Sequence, residues 1–335
     1  MRGLLRALLV LWGAFTLVFV IFSTVPDPAR QLAGQQASEQ TVAAIRAKHG
    51  LDQSVTTRYV RALAALSPIG MRREATTQIG GESATSWGLR APSLGTSWVS
   101  ERPVVDVLLE ALPGTAILAA VSMVLALLLG LPTGLLAAIR PGSWWDRVVV
   151  GGSVLGMSAP SFFVALAVGY VGAVRWYDWT GLPLTGSWIE VDWQNGPRIA
   201  WANLILPAIT LGMRPWAVLA QLMRGAATDV LEQPHIKTAR AFGATNREIV
   251  YRHVLRNALN PVLTSASGWM ASMLAGAVFV EFVFGWRGLG YTLFDALEQN
   301  DLPIVMGGVL FISAMFVMIQ AFTDGAYRWL DPRAR

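Results

Sequence analysis

The chain has 335 residues, of which 54% are hydrophobic and only 14% charged. Soluble domains carry roughly a quarter charged residues, so this composition argues against a water-soluble enzyme and for a membrane protein. The formal net charge of +5 comes with no basic-aromatic reading surface, which weighs against nucleic acid, and the absence of cysteine leaves no disulfide framework.

The apolar residues are blocked. Runs of about 19 or more, long enough for a hydrocarbon core of ~30 Å, fall at residues 7–25, 115–139, 148–174, 204–222, 262–284 and 304–322, so six spans are expected. The first follows Arg2 and Arg6, is longer than a signal h-region and ends without a small-residue cleavage site. It is expected to be a retained anchor with a cytoplasmic N-terminus. Two weakly amphipathic stretches within 38–66, broken at Gly50-Leu51-Asp52, predict short helices over the outer mouth. The sequence then turns polar and Gly/Ser/Thr-rich until Gly95.

In the second run Gly130 and Gly134, with Pro132 between them, suit close helix approach. In the third, Ser158, Pro160 and Ser161 predict a kinked helix whose freed carbonyl is re-satisfied by the flanking hydroxyls. Arg214, near mid-depth of the fourth run, and Glu281, near the outer end of the fifth, are ionisable groups within spans, which face a bundle interior or a wet cavity. These five residues are the candidates for a translocation path; for Arg214 a structural pair or a snorkelling side chain is an equal alternative. Trp144, Trp145, Trp176, Trp179, Trp188, Trp193, Trp201, Trp286 and Trp329 are read as an interfacial belt.

Between the fourth and fifth runs lies a polar, basic island, residues 224–260. Pro234 suits a first helical turn, with Asp229 and Glu232 placing negative charge at the positive dipole end. A helix is expected over 234–242, stopped by a left-handed Gly243. Thr245 and Glu248 have the spacing of a capping box that opens a second helix, with Ile249, Val250, His253, Val254 and Asn257 on one side. This connection carries Arg224, Lys237, Arg240, Arg247, Arg252 and Arg256, against Arg287 alone in the next one. Positive-inside bias places it in the cytoplasm; the basic first loop is long enough to be translocated despite its charges.

The string KTARAFG followed by HVLRNALNP resembles the cytoplasmic "EAA" loop of ATP-binding-cassette (ABC) importer permeases, in the dipeptide, oligopeptide and nickel variant. Where the general pattern has Glu-Ala-Ala and a later Gly, this chain has Lys237, Thr238, Ala239 and Gly243. Other blocks agree in order: GLDQ with Arg58 and Tyr59, SLGTSW, RPVVDVLLEALPGT, MSAPSFF, LILPAITL, DVLEQ, GAVFVE, FGWRGLG and LDPRAR. The resemblance implies an all-α integral membrane protein of the type I importer permease architecture, with six transmembrane helices. Residues 1–25 would be an anchor helix, 26–110 an extracytoplasmic loop, and 111–335 a five-helix permease core containing the coupling loop 224–260. Typical relatives pass 67–92 with far fewer residues, so that stretch reads as an insertion and a surface excursion.

The resemblance further assigns Pro234, His235, Ile236, Lys237, Thr238, Ala239, Arg240, Phe242 and Gly243 to ATPase coupling, supported by Thr245, Glu248, His253 and Asn257. An apolar patch of Ile236, Ala239 and Phe242, rimmed by Lys237 and Arg240, is expected to meet the ATPase. The implied partners are a second permease, two cytoplasmic ATPases and an extracytoplasmic binding protein, in a bacterial inner membrane with both termini inside. The sequence has no phosphate-binding G-x-x-x-x-G-K-[ST] loop, so ATP and magnesium would be used by the partner subunits and no cofactor by this chain. His49, His235 and His253 form no zinc-binding helix face. Di- or oligopeptides are the expected cargo, with nickel complexes, glutathione or another small solute as alternatives. A stand-alone secondary transporter or channel leaves the capped basic segment unexplained and lacks an evident inverted repeat.

Overall fold

The structure, a computed structural model, describes residues 2–24, 27–34, 36–67, 69–73, 85–89, 92–192 and 196–330. The expected 25/26 boundary, the middle of the expected insertion at 74–84, Trp193 and the final residues of LDPRAR lie outside the described residues, as does the Trp329 side chain. In chain order the elements are α1 (Arg2–Ser23), α2 (Pro28–Ala33), α3 (Glu39–Lys48), α4 (Val55–Leu66), β1 (Ile69–Arg73), β2 (Thr85–Leu89), α5 (Val104–Ile139), α6 (Trp144–Ser158) and α7 (Ser161–Gly169). A π-helical turn (Tyr170–Arg175) extends α7. Then come α8 (Tyr177–Thr180), β3 (Ile189–Asp192), β4 (Gly196–Ile199), α9 (Ala202–Leu231), α10 (Pro234–Ala241), α11 (Asn246–Glu248), a second π-helical turn (Ile249–Val254), α12 (Leu255–Gly276), α13 (Val278–Val283), α14 (Leu289–Glu298) and α15 (Leu302–Leu330). The described residues are mostly helical, and short strands in two connections add to the expected helices. Two antiparallel hairpins are present, β1 on β2 with Ile69 opposite Leu89, and β3 on β4 with Ile189 opposite Ile199.

Among the described residues four helices are long and apolar enough to cross a membrane: Leu5–Ser23, Val104–Ile139, Ala202–Leu231 and Leu302–Thr323. The pair Trp144–Ser158 and Ser161–Arg175 makes a fifth if counted as one span, although it is bent by 111°. This break is far sharper than the kink expected at Pro160. Ala159 and Pro160 are both extended, at ψ 131° and 135°, so two consecutive residues leave the helical path. The expected fifth span is also divided, between α12 and α13, and the first part of α12 carries Arg256, Asn257, Asn260, Thr264 and Ser267.

The chain divides into two compact units. The first comprises Met1–Glu110 and Thr292–Ala314. Its short helices start on side-chain caps: Ser38 accepts from Thr41 N at 3.2 Å and Ser54 from Thr57 N at 3.3 Å, each satisfying an N–H that the first helical turn leaves unpaired. The Tyr59 ring packs at 5.9 Å from Phe15 and 5.1 Å from Phe19, and its hydroxyl lies 2.7 Å from Thr16 Oγ1, which fixes α4 on α1. In SLGTSW, Ser97 donates its hydroxyl to buried Asp301, which also accepts from Trp98 N at 3.1 Å.

The second unit comprises Ala111–Tyr291 and Met315–Arg335. Its centre is α9, packed against α6 and α12, with Met123, Leu219, Met223, Ile249 and Val254 in one buried cluster. The small residues of α5 bring it against α9 as expected. A Cβ on Gly134 would collide with the Ala220 carbonyl and stand 2.8 Å from Met223 Cβ. Because the obstacle is backbone, Gly134→Leu is expected to cost about 3 kcal/mol or more. Thermal denaturation of the detergent-purified protein should show a large loss for this variant and almost none for Gly151→Ala, where a Cβ meets nothing within 4 Å.

Candidate functional site

The basic segment folds much as its local chemistry dictates. Pro234 occupies the first turn of α10, and the helix ends at Ala241, capped by Phe242, with Gly243 at φ 87°. Gly243 N donates to Arg240 O and Ala244 N to Ala239 O, both at 3.0 Å, the pairing of a Schellman stop. The capping box is complete: Thr245 N donates to Glu248 Oε2 at 2.8 Å and Glu248 N to Thr245 Oγ1 at 3.3 Å. The Thr245 backbone N–H, helped by its hydroxyl, holds the Glu248 carboxyl below the usual glutamate range. A depressed folded pKa means that the contribution of this cap is present at neutral pH and is lost as pH falls through that lowered value.

Two expectations about this segment change. Ile236 does not belong to an outward apolar patch; it is 1% exposed and packs into the buried cluster of the second unit, whereas Phe242 is 88% exposed. A helix lying on a core must bury one side chain to hold itself there, and Ile236 is that anchor. The polar outward surface of α10 is therefore His235, Lys237, Thr238 and Arg240, flanked by exposed Pro234 and Ala241, with Phe242 beyond its end and Ala239 half-buried. The second helix opens with α11 and passes at once into a π-helical turn over Ile249–Val254, which inserts a residue into the helical period. Ile249, Val254 and Ala258 are buried and Asn257 is turned outward, with its Nδ2 donating to His253 O at 2.7 Å. The His235 and His253 rings lie 6.0 Å apart.

One ion pair beside this segment escaped the sequence reading. The Arg224 guanidinium donates through Nε to Asp146 Oδ1 and through Nη2, at 3.2 Å, to Oδ2, and Gly142 N adds a 2.8 Å bond. Asp146 is buried, so the turn before α6 is tied to α9 ten residues ahead of α10. The Ser143-to-Asp146 spacing, a helix-opening signature, was the available signal. Ser143 Oγ accepts from Asp146 N at 3.2 Å.

The other candidates separate into two places. Ser161 and Arg214 line one cavity of about 110 Å³ with Thr210, Trp269 and Ser272. Arg214 Cζ stands 5.7 Å from the Trp269 ring centroid, and among the described residues no carboxylate pairs with it. Ser158 and Pro160 flank the 111° break but do not line this cavity. Glu281 is fully buried elsewhere: Thr115 Oγ1 donates to Oε1 at 2.6 Å and Tyr291 N to Oε2 at 2.9 Å. A Cβ on Gly288 would stand 2.5 Å from the Glu281 carboxylate, and one on Gly290 3.1 Å. Gly288 and Gly290 of FGWRGLG thus let that loop close over the acid. Trp286 within it is not interfacial, as the belt reading had it, but completely buried, with Nε1 donating to Gly114 O at 2.9 Å. Trp144, Trp176, Trp179 and Trp201 remain exposed.

Comparison with known proteins agrees with this architecture. Residues 130–335 match the family model described as binding-protein-dependent transport system inner membrane component, and residues 1–119 match its N-terminal companion. The chain is 32% identical over 342 residues to the dipeptide transport system permease protein DppB of Escherichia coli K12, covering 96% of this chain and 94% of that protein. It is also 32% identical to the glutathione transport system permease protein GsiC of Salmonella paratyphi A, with 99% and 96% covered. A crystal structure of an amino acid ABC transporter superposes on 67% of this chain and 94% of its own at a TM-score of 0.50 and 16% identity, which shows a shared fold. The chain therefore belongs to the binding-protein-dependent transport system inner membrane component family, the permeases of ABC importers.

Proposed function

We propose that this chain is one of two permeases in an inner-membrane importer of di- or oligopeptides, driven by two cytoplasmic ATPases and supplied by an extracytoplasmic binding protein. The six spans are α1, α5, the bent pair α6 and α7, α9, α12 continued by α13, and α15, with both termini in the cytoplasm. The chain is not itself an enzyme; ATP and magnesium are used in the partner ATPases.

The observation that carries this reading is α10: a short, basic helix anchored by Ile236, followed by exposed Phe242 and stopped by the left-handed Gly243. Phe242 is the apolar plug for a pocket on the ATPase, with Lys237 and Arg240 as rim charges of smaller energetic weight. ATPase closure displaces α10, and the Gly243 corner passes the movement through the capped turn into α12. Cargo released by the binding protein enters between the two permeases and leaves inward when the ATPases reset. The cavity at Ser161 and Arg214 is assigned to this path.

Relatives of like identity are named for dipeptides and for glutathione, and glutathione is itself a small peptide, which favours peptide cargo over nickel complexes. Uptake of radiolabelled dipeptides, oligopeptides and glutathione is to be compared in cells lacking this gene and cells carrying it. Restored dipeptide or oligopeptide uptake is the expected result. Restoration of glutathione or nickel uptake alone would assign the cargo otherwise.

A further inference from the structure

Within the first unit lies a cavity of about 460 Å³, inside the roughly 300–1,000 Å³ typical of small-molecule sites. Its floor is apolar, formed by Phe15 and Phe19 of α1 and by Met306 and Leu310 of α15. Its rim carries Arg58 and Arg61, three residues apart and so on one face of α4. Both α1 and α15 are long and apolar enough to cross a membrane. The floor uses the later part of α1 and the earliest part of α15, so the arginines stand where two apolar helices meet the polar segments α3 and α4.

The charge on this rim is unbalanced. Lys48 is already engaged, with Nζ 2.6 Å from Glu101 Oε1, and Asp301 is occupied by Ser97 and Trp98. Among the described residues neither Arg58 nor Arg61 meets a carboxylate. Burial alone lowers the Arg58 pKa from its ordinary value, and no acid offsets that effect, as expected of a desolvated cation without an anion beside it. The neighbouring surface of α1 exposes Leu17, Val20 and Ile21.

We propose that this groove binds an anionic phospholipid of the surrounding bilayer, with its phosphodiester held by Arg58 and Arg61 and an acyl chain along Phe15, Phe19 and Leu310. Guanidinium forks suit phosphate oxygens, and the apolar floor offers a free phosphate ion nothing. A lipid satisfies both halves of the groove. The inference rests on α1 and α15 being spans and is independent of the cargo.

The test uses the complete importer, purified in detergent, incubated with phosphatidylglycerol or phosphatidylcholine and weighed by native mass spectrometry. Retention of phosphatidylglycerol over phosphatidylcholine is expected, reduced by roughly tenfold or more in the Arg58→Gln, Arg61→Gln double variant and largely kept in the corresponding double lysine variant. Leu310→Trp, which fills the floor and leaves the charges in place, should also lower retention and serves if the glutamine variant fails to assemble. Equal retention of the two lipids, or unchanged phosphatidylglycerol retention in both the glutamine and the tryptophan variants, would overturn the site. Displacement of the lipid by soluble glycerol 3-phosphate would show a free-phosphate site instead. Loss of binding-protein association in the glutamine variant with lipid retention intact would assign the rim to that protein and overturn the proposal.

Discussion

Glu281→Ala is expected to cause the largest loss of stability of any single truncation considered, about 2–6 kcal/mol. The alanine would strand two donors that now end on a fully buried carboxylate, the Thr115 hydroxyl at 2.6 Å and the Tyr291 N–H at 2.9 Å, and each buried unsatisfied group costs roughly 1–3 kcal/mol. The loss should spread along the loop, because Thr115 Oγ1 also accepts from Leu289 N at 2.7 Å and Gly288 and Gly290 pack against the acid. A total stability of about 5–15 kcal/mol leaves little after such a change. Fluorescence-detected gel filtration of detergent extracts should show aggregated or missing permease, with Glu281→Gln intermediate because it keeps one accepting oxygen. A monodisperse Glu281→Ala protein with an unchanged melting temperature would show that the loop does not depend on these bonds.

Gly243→Val should weaken coupling by roughly tenfold or more while leaving the membrane protein assembled. A Cβ at this position meets nothing within 4 Å, so the penalty is not a clash with neighbours. It comes from φ 87°, where a β-branched residue costs on the order of 1–2 kcal/mol, equivalent to roughly tenfold fewer molecules holding the corner. Peptide uptake should fall by at least that factor at normal expression, and Gly243→Ala should be milder. Normal uptake by the valine variant would remove the corner from the transmission route.

What could be read in the sequence is what short-range chemistry decides. The proline at the start of α10, the glycine that ends it and the Thr245-Glu248 box each act within one helical turn, and all three stand where their spacing places them. The facing of Ile236 was not legible, because whether an apolar residue points to a partner or to its own core depends on the docking of α10, and the π-helical turn that shifts the following face has no sequence mark. Trp286 stands at the end of an apolar run, where interfacial tryptophans also stand; only the approach of Gly114 makes it a core residue. Pro160 announced a disturbance, but its 111° size required Ala159 to leave the helix too. The apolar runs located α1, α5, α9 and α15, and they failed to show that the fifth would be divided at Ala277. Within the candidate site, the Ser143-to-Asp146 spacing marks only a local cap; the Asp146–Arg224 pair links residues 78 positions apart, a distance over which spacing names no partner.

The central claim is that α10 faces the cytoplasm and docks an ATPase, and cysteine accessibility tests it most directly because the chain contains no cysteine of its own. Arg240 on α10 and Thr56 on α4 are both exposed, so Arg240→Cys and Thr56→Cys each place one reactive thiol on the surface. With an impermeant maleimide and the outer membrane removed where present, Thr56→Cys should label on intact cells. Arg240→Cys should label only after permeabilisation, and less when the ATPase subunits are co-expressed, since the basic connection is held inside by its charges. Labelling of position 240 from outside, or labelling after permeabilisation that the ATPase does not diminish, would contradict the account.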